Sequence, residues 1–105
     1  RDHAVGGEET FGPAAAILVA DDDDHAVALA NDTRYGLGAS VWTADRARGE
    51  AVAARLEAGN IGVNGVERSD PRMPFGGVKD SGYGRELGVE GLRTFVNIKS
   101  VWAED

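Results

Sequence analysis

The chain has 105 residues, 42% of them hydrophobic, and 11 Lys and Arg against 18 Asp and Glu leave a net charge of −7. This length suits one small domain with a modest core, and an acidic balance without any basic stripe excludes nucleic acid as an expected partner, since phosphate contacts need clustered positive charge. The absence of cysteine excludes disulfides and thiolate metal sites and removes the commonest soft nucleophile; no run approaches the roughly 20 apolar residues of a membrane span, so no membrane partner is expected and cytoplasm is the expected compartment.

After a polar opening, Ala14 to Ala20 (AAAILVA) is a continuous apolar run between Pro13 and four aspartates, the pattern of a strand buried on both faces. Asp24 is placed to cap a helix over HAVALAND, which RYGLG then stops. Ala39 to Thr43 (ASVWT) is short and β-branched, a second strand. Asp45 is a plausible N-cap for a helix from Arg46 to Ala58, in which Val52 and Leu56 lie i,i+4 apart and Gly59 takes the C′ place. NIGVNG, Asn60 to Gly65, reads as a third strand. A short helix from about Arg85 to Leu92 leads into TFVNIKSVW, where Val96, Ile98 and Trp102 alternate with Asn97 and Lys99 as in a half-exposed strand. The alternation predicts one α/β unit with a parallel or mixed sheet and flanking helices.

Several chemical motifs fail on their spacing. Gly82-Tyr83-Gly84 is followed by Gly88, one place too late for a dinucleotide loop, and no apolar strand enters it. Ser81 follows Asp80, but Lys79 stands where a nucleophile elbow needs glycine. Asp21 to Asp24 lack the calcium-loop glycine, with Ala26 in its place, and read as a solvated turn capping a helix. His3 and His25 are lone histidines with no partner at a defensible spacing, so no metal site is expected.

Sixteen residues, MPFGGVKDSGYGRELG from Met73 to Gly88, hold five glycines around Phe75, Lys79, Arg85 and Glu86. Together with EETFGP, Glu8 to Pro13, and ANDTRYGLGASVWTAD, Ala30 to Asp45, this ordered set resembles the C-terminal part of the aldehyde dehydrogenase superfamily over roughly residues 8 to 102. The resemblance implies that Glu9 hydrogen-bonds the ribose hydroxyls on the nicotinamide side of NAD or NADP and that Phe11 packs against that end of the cofactor. A carboxylate is a bidentate acceptor for a diol, and an aromatic wall limits the wandering of a flexible ring. Taken alone, the two residues read rather as a solvated turn carboxylate and a core phenylalanine, and the resemblance reverses that preference. The resemblance further implies a tight P-F-G-G turn beside the aldehyde pocket, with Phe75 near the substrate and Gly76-Gly77 permitting close backbone approach. It makes Arg85 and Glu86 structural pairing residues, and it makes residues 94–103 an oligomerisation strand through which copies of the chain pair as a homodimer or homotetramer.

Within the superfamily, SDPRMPFGGVK with GYGREL and NIKSVW looks most like succinate-semialdehyde dehydrogenases. Ser69 then takes the loop position where a hydroxyl meets the substrate's distal carboxylate. Arg72 is the rival, because a guanidinium pairs with a carboxylate more strongly than a hydroxyl does, and a plain loop serine is the third possibility. The family's reaction needs a thiolate to attack the aldehyde carbon, and this chain has no cysteine. Its expected catalytic set is therefore empty. Residues 1–105 are expected to be a partial single domain, the C-terminal portion of an NAD(P)+-dependent enzyme that oxidises a small aldehyde, inactive when alone. The alternative is a stand-alone binding or oligomerisation module derived from the same fold.

Overall fold

The computed structural model describes residues 7–105. In chain order the elements are α1 (Asp23–Asn31), β1 (Tyr35–Gly36), β2 (Gly38–Val41), α2 (Arg46–Ala53), β3 (Asn60–Val63), β4 (Val78–Lys79) and α3 (Gly88–Arg93). Strands β2 and β3 pair in parallel, Gly38 facing Asn60 and Val41 facing Val63, with α2 as the crossover that a parallel pair requires. Strands β1 and β4 form a separate antiparallel pair, Tyr35 facing Lys79 and Gly36 facing Val78. The expected single sheet is thus two small ones. The link between β1 and β2 is Leu37 alone, so the two pairs share a corner there.

The caps follow from short polar side chains next to helical sequence. Asp45 caps α2, its carboxylate accepting from the Arg48 N–H. For α1 the cap is Asp22, not Asp24: Asp22 accepts from the His25 N–H. Asp24 lies inside the first turn, where its charge favours the positive end of the helix. The four aspartates are divided among tasks. Asp23 pairs with Arg48 and Asp24 with Arg55, both exposed, across to α2 and the turn that ends it. Asp21 meets His25 at 3.1 Å, so His25 does have a partner, one turn back. His3 lies outside the described residues. Helix α2 ends at Ala53, five residues before the expected Ala58, because the backbone turns at Ala54 and Arg55, and the Arg55 N–H donates to the Val52 carbonyl at 3.0 Å.

Two apolar segments do not behave as strands within the chain. Residues 14–20 make no ladder, and Ile17 and Val19 are 90% and 85% exposed. A strand buried on both faces needs neighbours on both edges, and none of β1 to β4 lies beside it. Residues 97–105 likewise stand outside any ladder, with Phe95, Ile98, Val101 and Trp102 exposed. Helix α3 begins at Gly88 and not at Arg85, because Glu86 is taken up in a bridge with Phe75 and Leu87 sits at φ 61°, which no helix continues through.

Little of the apolar surface is covered. Val27 is the buried hydrophobic residue among the described ones, 7% exposed. The accessible surface is 8545 Å², against about 5,600 Å² for a compact monomer of this mass. The Cα radius of gyration, 17.9 Å, exceeds the roughly 13 Å of a compact domain of this length. Such a surface seeks cover. The chain by itself is expected to self-associate and to enhance the fluorescence of a hydrophobic dye; a sharp monomer peak in size-exclusion chromatography with a cooperative thermal transition would contradict this.

Candidate functional site

Two adjoining clefts flank the β1–β2 corner. The first, about 490 Å³, is lined by Glu9, Asn31, Thr33, Tyr35 and Glu57 among others. The second, about 420 Å³, is lined by Phe75, Gly76, Gly77, Tyr83, Arg85 and Glu86 among others. Leu37 and Ser81 line both. Glu9, expected on the cofactor side, and Phe75, expected on the aldehyde side, thus lie in neighbouring hollows with a common wall.

The turn that carries Phe75 is tied from three sides. Its N–H donates to the Glu86 carbonyl and its carbonyl accepts from the Glu86 N–H, each at 2.8 Å. Arg85 donates from Nη1 to the carbonyls of Gly77, 2.8 Å, and Gly84, 2.6 Å. Asn60 donates from Nδ2 to the carbonyls of Leu37 and Gly76, both at 2.9 Å. Arg85 therefore holds structure, as expected, but its partners are backbone carbonyls, and Glu86 acts through its backbone. The glycine pair lets chains close in: a Cβ on Gly59 would lie 1.7 Å from the Gly76 oxygen. Gly59 is a close-approach glycine and not the C′ residue of α2.

The first cleft is framed by a second set of ties. Lys79, itself at φ 54°, donates from Nζ to the carbonyls of Asn31, 2.7 Å, and Thr33, 3.2 Å, and reaches the Glu57 carboxylate at 2.7 Å. A cation there also suits the negative C-terminal end of α1. Asn31 donates to the Arg55 carbonyl and accepts from the Glu57 N–H, at 2.9 and 2.8 Å, so α1 is fastened to the link before β3. Ser81 accepts from the Gly36 N–H at 2.9 Å. None of Asn31, Asn60, Lys79 and Ser81 was singled out by sequence for these roles. Lys79 offered a faint signal, a long cation in a run of glycines, but its carbonyl partners lie about 46 to 48 residues back.

Phe11 is 88% exposed, which removes the reading as a core residue. It stands at φ 42°, a left-handed conformation that a bulky side chain seldom adopts, and such outliers gather at binding sites. It lines neither cleft. Ser69 is exposed in the loop between β3 and β4, also away from both clefts. Arg72 is committed elsewhere: Nε and Nη2 donate to the Asp70 carboxylate at 2.9 and 2.6 Å, and the Arg72 N–H donates to the same group at 2.9 Å. Among the described residues no group of three His, Asp or Glu could hold a metal ion, and no helix is long and apolar enough to cross a membrane.

These bonds to Arg72 pull the Asp70 carboxyl down from 3.8 to about 2. A depressed carboxyl contributes its full stabilisation above the unfolded value, and the contribution is lost as pH falls through the folded one. The order of the 70–72 turn should therefore persist through pH 3 and fade toward pH 2. A carboxyl-carbon NMR titration of Asp70 should give a midpoint near 2 that rises in Arg72→Ala; a midpoint near the ordinary 3.8 in the unaltered protein would contradict the ion pair.

Residues 1–101 match the family model described as the aldehyde dehydrogenase family. The chain is 52% identical over 97 residues to the succinate semialdehyde dehydrogenase (NAD(P)+) of Escherichia coli, covering 92% of this chain and 21% of that one. It is 50% identical over 95 residues to a probable succinate-semialdehyde dehydrogenase (NADP+) of Synechocystis, covering 90% and 21%. In three dimensions it is similar to the crystal structure of succinic semialdehyde dehydrogenase from Streptococcus pyogenes in complex with NADP+, with a TM-score of 0.89, 38% identity, and coverage of 95% of this chain and 22% of that one. It is also similar to a Mycobacterium tuberculosis aldehyde dehydrogenase complexed with NAD+, with a TM-score of 0.80, 46% identity, and coverage of 85% and 18%. The chain spans about a fifth of the length of the curated relatives it matches.

Proposed function

Because this chain belongs to the aldehyde dehydrogenase family, we propose that it forms the C-terminal part of an NAD(P)+-dependent enzyme that oxidises succinate semialdehyde to succinate. The observation that carries the reading is the neighbouring placement of Glu9 and Phe75 in two clefts sharing the Leu37 and Ser81 wall, in a chain about half identical to relatives named for that substrate. This part supplies binding and positioning. The nucleophile belongs to another part of the enzyme, since the chain has no cysteine.

The nicotinamide cofactor, when bound, accepts the hydride from the aldehyde carbon. Glu9 fits it: its carboxylate lines an open cleft of about 490 Å³ and can accept from both hydroxyls of a ribose. Phe11, exposed and held by its left-handed backbone, provides the aromatic wall on that side. Phe75, half-buried in its bridged turn, walls the aldehyde and limits its orientations, which is how positioning lowers a barrier. The exposed apolar residues of 94–103 pair with a second copy of the enzyme, forming a homodimer or homotetramer and covering surface that this chain leaves bare. The near-absence of a core weighs against a stand-alone module.

For the distal carboxylate of the substrate, Ser69 is the better candidate. Arg72 has spent two of its donors and most of its field on Asp70, whereas the Ser69 hydroxyl is exposed in the same loop. In the full-length enzyme Ser69→Ala should lower kcat/KM for succinate semialdehyde about ten- to a hundredfold, the loss of a hydrogen bond worth roughly 1.5 to 3 kcal/mol to a charged group. A neutral aldehyde of similar length should be hardly affected. A loss confined to Arg72→Ala would remove Ser69 from the site, and equal losses for charged and neutral aldehydes would mean a distorted loop.

A further inference from the structure

The side chain of Asn60 stands where the two clefts share their wall. It opens β3, a place where asparagine is poorly suited to an extended backbone, and both hydrogens of its amide are used: one on the Leu37 carbonyl, one on the Gly76 carbonyl, each at 2.9 Å. Two acceptors on the same side fix which end of the amide faces them, since an oxygen there would be repelled by both. The two carbonyls are not equally dependent on this side chain. Leu37 also receives the backbone N–H of Asn60 at 3.1 Å. For the part-buried Gly76 carbonyl, the Asn60 amide is the donor found among the described residues. Gly76 follows Phe75 directly, and Leu37 lines both clefts.

We infer that Asn60 is a positioning residue for the aldehyde side of the site: its amide sets Gly76, and with it the Phe75 ring, at a fixed distance from the Leu37 wall that the cofactor side shares. The inference rests on the reading of Phe75 as the aldehyde wall. Its consequence is asymmetric. Loss of the amide donors leaves Leu37 and the first cleft in register through the β3 backbone, but leaves the Gly76 carbonyl unpaired, so the Phe75 turn moves and the Glu9 side does not.

The test uses the full-length enzyme with Asn60→Leu, which keeps the approximate volume and removes both donors without adding a charge, beside Asn60→Thr, which keeps one donor on a β-branched strand residue, and Phe75→Ala as reference. Asn60→Leu should raise KM for the aldehyde about five- to tenfold, with Asn60→Thr in between. The Kd for NADPH, read by fluorescence without turnover, should stay within about twofold, as expected when no cofactor contact is lost. If Phe75→Ala raises the aldehyde KM and neither Asn60 variant does, the inference is overturned and the reading of Phe75 stands. If Phe75→Ala leaves the aldehyde KM unchanged, that reading falls and takes the inference with it. Parallel losses in aldehyde KM and NADPH Kd would show general loosening and also overturn it; should Asn60→Leu not fold, Asn60→Thr carries the same comparisons.

Discussion

The backbone of Gly59 touches the backbone of Gly76. A Cβ at Gly59 would fall 1.7 Å from the Gly76 oxygen and 2.8 Å from its carbon, and neither partner is a flexible side chain that could move aside. This contact joins the parallel β2–β3 pair to the glycine-rich stretch that begins at Phe75. It brings Asn60 within reach of the Gly76 carbonyl and holds Phe75 beside Leu37. From there Arg85 and the bridge to Glu86 close the turn. Five glycines in sixteen residues are thus accounted for by contact as much as by conformation. Gly82, Gly84 and Gly88 take positive φ, whereas Gly59 and Gly76 are needed because there is no space.

What holds this chain is chiefly polar. With Val27 the buried hydrophobic residue among those described, hydrophobic burial contributes little within the chain, and the ties are hydrogen bonds from Asn31, Asn60, Lys79 and Arg85 to carbonyls of other segments. Each is worth about 0.5–1.5 kcal/mol net, and more where loss would leave a buried acceptor unmade. Their merit is directional. They fix loops in place against a small sheet, whereas the apolar faces at residues 14–20 and 95–102 stay available for surfaces beyond this chain. Local geometry is set by polar ties, and cohesion is left to whatever covers those faces.

The elements governed by local signals were legible in sequence. Asp45 announced α2, the β-branched ASVWT and NIGV announced β2 and β3, and the helical spacing after the aspartates announced α1. The failures share one cause, which is that the partner was distant or absent. AAAILVA has the composition of a buried strand, but a strand is defined by its neighbours, and Ile17 and Val19 have none here. Strands β1 and β4 are two residues each, too short for any periodicity, and exist because Ser81 and Lys79 pull their segments together. The start of α3 was misplaced because Glu86 is captured by Phe75. Glu9 and Phe75, named through motif resemblance, lie in adjoining clefts; Asn60 was passed over as an ordinary strand residue, since nothing local shows that its amide spans from Leu37 to Gly76. The pairing of Arg72 with Asp70, two residues apart, could have been read directly and would have ranked the carboxylate candidates sooner.

The dependence of the site on the Gly59–Gly76 contact is open to one direct measurement, the thermal midpoint of Gly59→Ala against that of Gly65→Ala in the full-length enzyme. Among the described residues, its chain neighbours aside, Gly65 has no atom within 4 Å of an added Cβ, so alanine there should leave Tm nearly unchanged. At Gly59 the methyl must displace backbone, a strain of about 1–3 kcal/mol or more, and Tm should fall by several degrees. Equal midpoints for the two variants would mean that the β3 edge and the Phe75 turn do not meet as described, and the account of the site built on that contact would be wrong.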